Sequence, residues 1–326
     1  MKAMDWQAYG AIEQIKIIEI DTPIPKAKEV LIRVYAASIN SWDWEIIQGT
    51  PWVNRVEHRL TSNYDILGAD VAGRIEAIGS AVSRFKVGDE VYGDLSRCHW
   101  GGLAEYVTAD QNALYPKPNN ITFKQAAAVP QAGLLALQGL RDKGGIKTGE
   151  KLLINGASGG VGTFAIQLAT LWETEITAVC STAKMDLVAE LGAEHVIDYS
   201  QQDFTQNGLQ YDLILDVQGR HSVADYKRAL SRHGRYVMVG GESALINRVV
   251  WQGLWLSLTS DQKMSLLLHK ANKGLEELSK LLEQEKIIPI IDRCFPLEKV
   301  AEAIRYFSEG RSRGKLVITI AEDKAS

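Results

Sequence analysis

Residues 151–169 read KLLINGASGGVGTFAIQLA. An apolar run, Leu152 to Ile154, meets four glycines and a small polar residue, and an amphipathic helical pattern follows. Stripping side chains from a strand-to-helix turn serves one of two ends. Either the backbone needs dihedral angles closed to larger residues, or something large must approach it closely.

The surroundings decide between them. Ala157-x-Gly159-x-x-Gly162 is a variant of G-x-G-x-x-G with alanine in the first slot; Gly156 precedes it and Gly160 lies inside it. It sits between an expected strand (151–155) and an expected helix (160–172), with another strand expected at 175–180. That is the context of a dinucleotide-binding turn. The turn must be tight, the second glycine admits a pyrophosphate to the backbone, and the third lets helix pack on strand. The helix N-terminus offers free N–H groups and a positive dipole, to which Ser158 can add a hydroxyl. The second strand ends in Cys180-Ser181-Thr182, then Lys184, with no acid for a ribose 2′-OH. Hydroxyls and a lysine suit a 2′-phosphate, so the residues favour NADPH over NADH. Ser181 or Thr182 can equally cap the helix that follows.

The texture of the chain changes around residue 121. Before it, EVLIRVYAAS (29–38), DVAGRIEAIGS (70–80), GDEVYGD (88–94) and GLAEYVTAD (102–110) are short apolar or alternating runs punctuated by glycine, as in a compact β-rich, barrel-like unit. After it come helices across 122–140, broken at Pro130. Strands at 151–155, 175–180, 195–199, 211–217 and 234–241 then alternate with helices at 160–172, 183–191 and 222–231. Such alternation predicts an α/β parallel sheet covered on both faces. Amphipathic helices at 275–284 and 298–310 and a strand at 315–320 close the chain.

Composition excludes several classes. With 326 residues and 46% apolar content the chain is an ordinary globular one, long enough for two domains. A net charge of −4 spread along the chain offers nothing to nucleic acid or an anionic membrane. Three separated cysteines, Cys98, Cys180 and Cys294, make neither a disulfide framework nor a CxxC zinc pair. With no apolar signal core and no membrane-length apolar window, the cytoplasm is the expected compartment.

Residues 30–320 resemble the zinc-independent quinone oxidoreductase branch of the medium-chain dehydrogenase/reductase superfamily. GASGGVGTFAIQLA, TAVCST, LGAEHVIDY and RGKLVI resemble its cofactor segments. AASINSWDW and LGADVAGRIEAIGSAVSRFKVGDEVYG resemble its catalytic domain. LINGASGGVGTFAIQ with TAVCS is particularly similar to the reticulon-4-interacting-protein-like subgroup. The resemblance implies a GroES-like catalytic domain, residues 1–121 and 292–326, and a Rossmann domain, 122–291, with substrate and nicotinamide in a cleft. It implies that Ser158, Gly160 and Val161 hold the pyrophosphate and that Ser181, Lys184 and Tyr199 hold the 2′-phosphate end. Val217, Gly240 and Gly241 would line the nicotinamide end, and Gly314 with Lys315 would close over it.

The zinc-dependent relatives carry a Cys after the second catalytic-domain strand and a Gly-His-Glu motif. Here SINSWDW has Asn40 at the first place, and GADVAG has Ala69 and Asp70 at the second. No metal is expected. Without a Lewis acid, quinones and activated enones become better hydride acceptors than simple carbonyls. Asn40 and Asp43 are the candidate catalytic residues, standing where the superfamily lines its substrate cleft; Asn-Ser-x-Asp is also good turn chemistry. Trp42, Trp44, Trp52, Tyr64, Trp100, Trp251 and Trp255 offer rings on which a flat substrate can stack, or core packing. Segment 52–67 is a candidate specificity loop, and 245–258 a candidate homodimer edge or a buried element. The leading expectation is an NADPH-dependent reductase of quinones or activated carbonyl compounds. A C=C (enoyl or enone) reductase and an NADPH-binding regulatory protein with weak turnover stand as alternatives.

Overall fold

The structure is a computed structural model, which describes residues 1–6, 9–50, 66–241, 246, 249–253 and 260–322. The expected loop over 52–67 lies outside these except for its last two residues. So do Trp52, Tyr64, Trp255 and most of 245–258.

The chain forms two compact units, Met1–Ala132 with Ala271–Ser326, and Gly133–Lys270. In chain order the first unit begins with β1 (Lys2–Asp5), β2 (Lys16–Glu19), β3 (Glu29–Ile39), α1 (Ser41–Gln48) and β4 (Asp70–Ile78). β5 (Glu90–Asp94), β6 (Tyr106–Asp110), β7 (Tyr115–Pro116) and α2 (Phe123–Ala127) follow, and α3 (Pro130–Leu137) runs from the end of the first unit into the second. The second unit holds β8 (Lys151–Asn155), α4 (Gly160–Thr170), β9 (Glu175–Cys180), α5 (Met185–Glu190) and β10 (His195–Asp198). It continues through β11 (Tyr211–Asp216), α6 (Val223–Ala229), β12 (Leu230–Met238) and β13 (Lys263–Leu266). The chain then returns to the first unit with α7 (Leu275–Glu283), β14 (Ile291–Pro296), α8 (Val300–Ser308) and β15 (Lys315–Thr319).

In the first unit β3 is the spine. It pairs antiparallel with β4, β6 and β15, and the sheet runs β14-β15-β3-β4-β5-β7. Two apolar clusters hold it: one built on Val30, Ile32, Val34, Val71 and Val91, the other on Ile39, Ile46, Ile47, Trp100 and Ile304. The returning strand β15 lies in this unit. Its register against Ala36–Ile39 brings Lys315 and Leu316 beside the start of α1. The junctions fall at 132/133 and 270/271, against the expected 121/122 and 291/292. α7 accounts for the second shift: its Leu275, Leu278 and Leu282 are buried, and Ser279 shares a 2.6 Å hydrogen bond with the buried Tyr92 of β5.

The second unit is a six-stranded parallel sheet in the order β10-β9-β8-β11-β12-β13. Its central strands read as unbroken apolar runs because both faces are covered; Leu152, Leu153, Ile154, Leu213, Ile214 and Leu215 are all fully buried. Strand order reverses between β8 and β11. In doubly wound sheets that reversal opens the ligand crevice at the carboxyl ends of the strands. The expected helix over 222–231 ends at Ala229, since Leu230 already pairs with Tyr211 as the start of β12, ahead of a bulge. Among the described residues no helix is long and apolar enough to cross a membrane.

Candidate active site

The glycine turn lies at the carboxyl end of β8, at the point of reversal. Gly156 takes φ +84°, a conformation that favours glycine, and an added Cβ would meet Gln218 Cγ at 2.8 Å. The Gly156 and Ala157 N–H groups both donate to Val179 O, at 3.2 and 3.0 Å, which anchors the turn to β9. Gly159 is the N-cap of α4, and Gly160 and Val161 open its first turn, where helix geometry leaves N–H groups without partners inside the helix. The third glycine of the motif is fixed by packing: a Cβ on Gly162 would come within 2.4 Å of both Gly156 O and Ala157 O. At Gly159 the same test finds only Gly156 O, at 3.6 Å. The turn is therefore closed on its strand side and open at the helix mouth, a cradle that fits a diphosphate against the positive end of an eleven-residue helix. Ser158 is buried between the two.

Ser181, Lys184 and Tyr199 gather at the carboxyl ends of β9 and β10. Tyr199 N donates to Cys180 O at 3.1 Å, and the Tyr199 ring is 63% exposed, an unusual degree for a large ring. Ser181 is the N-cap of the short helical turn over Thr182–Lys184, and its side chain makes no capping bond. The same rim carries an acid that sequence reasoning missed. Asp198 ends β10 directly beside Cys180 and accepts the Thr182 hydroxyl. It also accepts Ser200 N at 2.9 Å and Ser200 Oγ at 2.8 Å. These bonds, that from Thr182 foremost, hold its carboxyl below the usual carboxylate range. Only the β9–β10 pairing brings it to this place, sixteen residues beyond Thr182.

Val217, Gly240 and Gly241 lie together past the carboxyl ends of β11 and β12. Val217 N donates to Asn155 O at 2.9 Å, and Gly219 N donates to Gly240 O at 3.3 Å. A Cβ on Gly240 would meet Val217 O at 2.9 Å, and one on Gly241 would meet Met238 Cε at 2.7 Å. Asn155 and Asp216, also unread in the sequence, bind each other at the ends of β8 and β11. Asp216 is fully buried, and burial pushes its carboxyl upward against the bonds from Tyr226, Tyr236 and Asn155.

Gly314 and Lys315 lie in the first unit. Gly314 has φ +86°, and a Cβ would come within 2.3 Å of Ile290 O, so packing alone requires glycine there. Lys315 is buried. Its ammonium donates to Asn40 Oδ1, to Ile39 O at 3.3 Å and to Asp70 Oδ2 at 3.4 Å. Asp70 Oδ2 further accepts Asn40 Nδ2 at 3.0 Å and Ser38 Oγ at 3.1 Å, and Gln131 N donates to Asp70 Oδ1 at 2.9 Å. Burial pushes the Asp70 carboxyl up and the Lys315 ammonium down, while their mutual attraction opposes both shifts.

Asp43 serves the backbone. It reaches back from the first turn of α1 to accept Asn40 N at 2.8 Å, one half of a capping box, and accepts Gly68 N at 2.9 Å. Fully buried, its carboxyl is pushed up to about 7 by loss of solvent. Trp100 is buried in the core with Trp42 edge-on to it at 5.4 Å, which is the packing alternative for these two rings. Trp251 is 75% exposed. Among the described residues no group of three or more His, Cys, Asp or Glu side chains is placed to hold a metal ion.

Two family models match the chain, one described as an alcohol dehydrogenase GroES-like domain over residues 26–119, the other as a zinc-binding dehydrogenase over 191–318. A quinone-oxidoreductase homolog of Spinacia oleracea, chloroplastic by name, is 33% identical over 98% of both chains. The chain belongs to the medium-chain dehydrogenase/reductase superfamily. Within the superfamily it is also 32% identical to the mitochondrial NAD(P)H oxidoreductase RTN4IP1 of Bos taurus, over 96% of this chain and 87% of that one. The structure of the quinone oxidoreductase from Coxiella burnetii superposes with a TM-score of 0.89 at 30% identity, covering 98% of this chain and 99% of that one. As a superfamily oxidoreductase the protein takes a nicotinamide cofactor, and the glycine cradle of the parallel-sheet unit has the shape to receive it.

Proposed function

We propose that this protein transfers hydride from NADPH to a quinone or another conjugated carbonyl acceptor, without zinc. The observation that carries the reading is the tie between Asn40, Asp70 and Lys315. Asn40 and Asp70 stand where zinc-dependent members carry a Cys and the Glu of a Gly-His-Glu motif. Asn40 Oδ1 and Asp70 Oδ2 both accept from an ammonium, which repels a divalent cation. A conjugated acceptor needs no Lewis acid, because the added electron pair spreads over the ring or the enone.

NADPH, when bound, supplies the hydride. The chain's own part is to hold the cofactor at Ser158, Gly160 and Val161, to receive the 2′-phosphate at Ser181, Lys184 and Tyr199, and to meet charge on the acceptor oxygen with the Asn40 amide. One acceptor, one NADPH and one proton from solvent give the two-electron-reduced acceptor and NADP⁺. NADPH is preferred because the acid on the adenosine rim, Asp198, is already occupied by Thr182 and Ser200, whereas Ser181 makes no capping bond. The cytoplasm, on the cysteine usage, and a homodimer belong to the same proposal, although the two curated relatives carry organelle names.

The test follows NADPH oxidation at 340 nm with ortho- and para-quinones, enones and simple aldehydes, before and after prolonged chelation. Turnover of quinones or enones that survives chelation is the expected result; product analysis of the enones separates C=O from C=C reduction. Tight NADPH binding without turnover of any acceptor would favour the regulatory alternative, and loss of activity on chelation would overturn the zinc-free reading.

A further inference from the structure

We infer that Lys315 is a positioning residue that acts through Asn40: its ammonium fixes which end of the Asn40 amide faces the acceptor. The inference rests on the preceding reading of Asn40.

A primary amide has an acceptor end and a donor end of nearly equal size, so its direction is set by its neighbours. Asn40 lies between a group that can only donate, the Lys315 ammonium, and one that accepts four bonds in all, the Asp70 carboxylate. One orientation satisfies both, with Oδ1 on Lys315 and Nδ2 on Asp70 at 3.0 Å. The reversed amide would set N–H against ammonium and oxygen against carboxylate. The surroundings are themselves fixed. Ser38 Oγ and Gln131 N hold Asp70, Asp43 holds the Asn40 backbone, and Lys315 N donates to Ile290 O at 2.8 Å.

Counting donors separates this role from direct cofactor contact. An ammonium has three N–H groups, and those of Lys315 go to Ile39 O, Asn40 Oδ1 and Asp70 Oδ2. None is left for a ligand. The Asn40 amide has two N–H groups, of which one goes to Asp70. The second is the donor that remains, and Lys315, together with Asp70, keeps it from being exchanged for a carbonyl oxygen that would repel an oxyanion.

The test is a double-mutant cycle. Lys315→Met, and the charge-balanced pair Lys315→Met with Asp70→Asn in case the single variant does not fold, are each combined with Asn40→Ala. We expect either Lys315 variant to lower kcat about 10- to 100-fold with the NADPH Kd changed less than about threefold, and to add less than about threefold when Asn40 is already alanine. Multiplicative losses, or an NADPH Kd raised tenfold or more, would overturn the inference. A wild-type protein without turnover sinks the preceding reading instead. The Asn40 side-chain amide signals in ¹⁵N-asparagine-labelled protein then decide. They should move toward free-asparagine positions in Lys315→Met, or in the pair relative to Asp70→Asn alone, and unchanged signals would dismiss the role of Lys315.

Discussion

Asn155 donates its side-chain amide to Asp216 Oδ1 at 2.8 Å, joining the ends of β8 and β11 at the point where the order of the parallel sheet reverses. The other oxygen of Asp216 accepts the Tyr236 hydroxyl at 2.7 Å. Asp216→Leu would remove the carboxylate that accepts the Tyr236 hydroxyl and would leave the Asn155 amide only Gln218 O, at 3.2 Å. We expect a loss of about 3–5 kcal/mol in the second unit, read by chemical denaturation. Asp216→Asn keeps the shape and one acceptor, and should lose less than half of that.

The motif glycines separate fold from ligand. Gly162→Ala places a methyl group within 2.4 Å of two backbone oxygens, which cannot yield as a side-chain end can. It should destabilise by about 2 kcal/mol or more and abolish nucleotide binding. Gly159→Ala meets nothing closer than 3.6 Å. Its melting temperature without ligand should stay within a few degrees of wild type, while affinity for either pyridine nucleotide falls at least tenfold. Unchanged affinity would count against a diphosphate at this turn.

Lys184→Glu tests the adenosine rim. If Lys184 faces a 2′-phosphate, NADPH should bind at least tenfold more weakly and NADH should change by less than about threefold. Fluorescence titration with both nucleotides measures this. Equal losses would remove Lys184 from the site.

Asp43 gives a pH signature. In the folded chain it keeps its proton to about pH 7, because burial disfavours the carboxylate. In the unfolded chain it loses that proton near pH 4. Between these values the folded state binds more protons than the unfolded one, so this group's contribution to stability declines as pH rises from about 4 to 7 and levels off above. Asp43→Asn removes the dependence and weakens the bonds from Asn40 N and Gly68 N. Its stability deficit relative to wild type should shrink by about 2 kcal/mol between pH 5 and pH 7.5, followed by urea denaturation at each pH.

The local sequence determined whatever depends on period and on residue size. The apolar run Leu152–Ile154 followed by Gly156–Gly162 reads as strand, tight turn and helix because no other arrangement accepts so little side chain there. The alternation after it reads as a parallel sheet because strands buried on both faces are apolar throughout. Residues that act at one turn, such as Gly156, Gly159 and Gly162, are legible for the same reason. Partnerships across the chain are not. Asp198 reaches the Ser181 rim only through the pairing of β10 with β9, and Asp216 finds Asn155 only through that of β11 with β8. Lys315 meets Asn40 and Asp70 only because the returning strand β15 lies in antiparallel register against β3. A residue's neighbours along the chain limit its backbone angles, but sheet register sets the electrostatic partners of a buried charge. Tertiary structure alone decided that Lys315, expected from the family resemblance to close over a cofactor, spends its charge on Asn40 and Asp70 in the first unit.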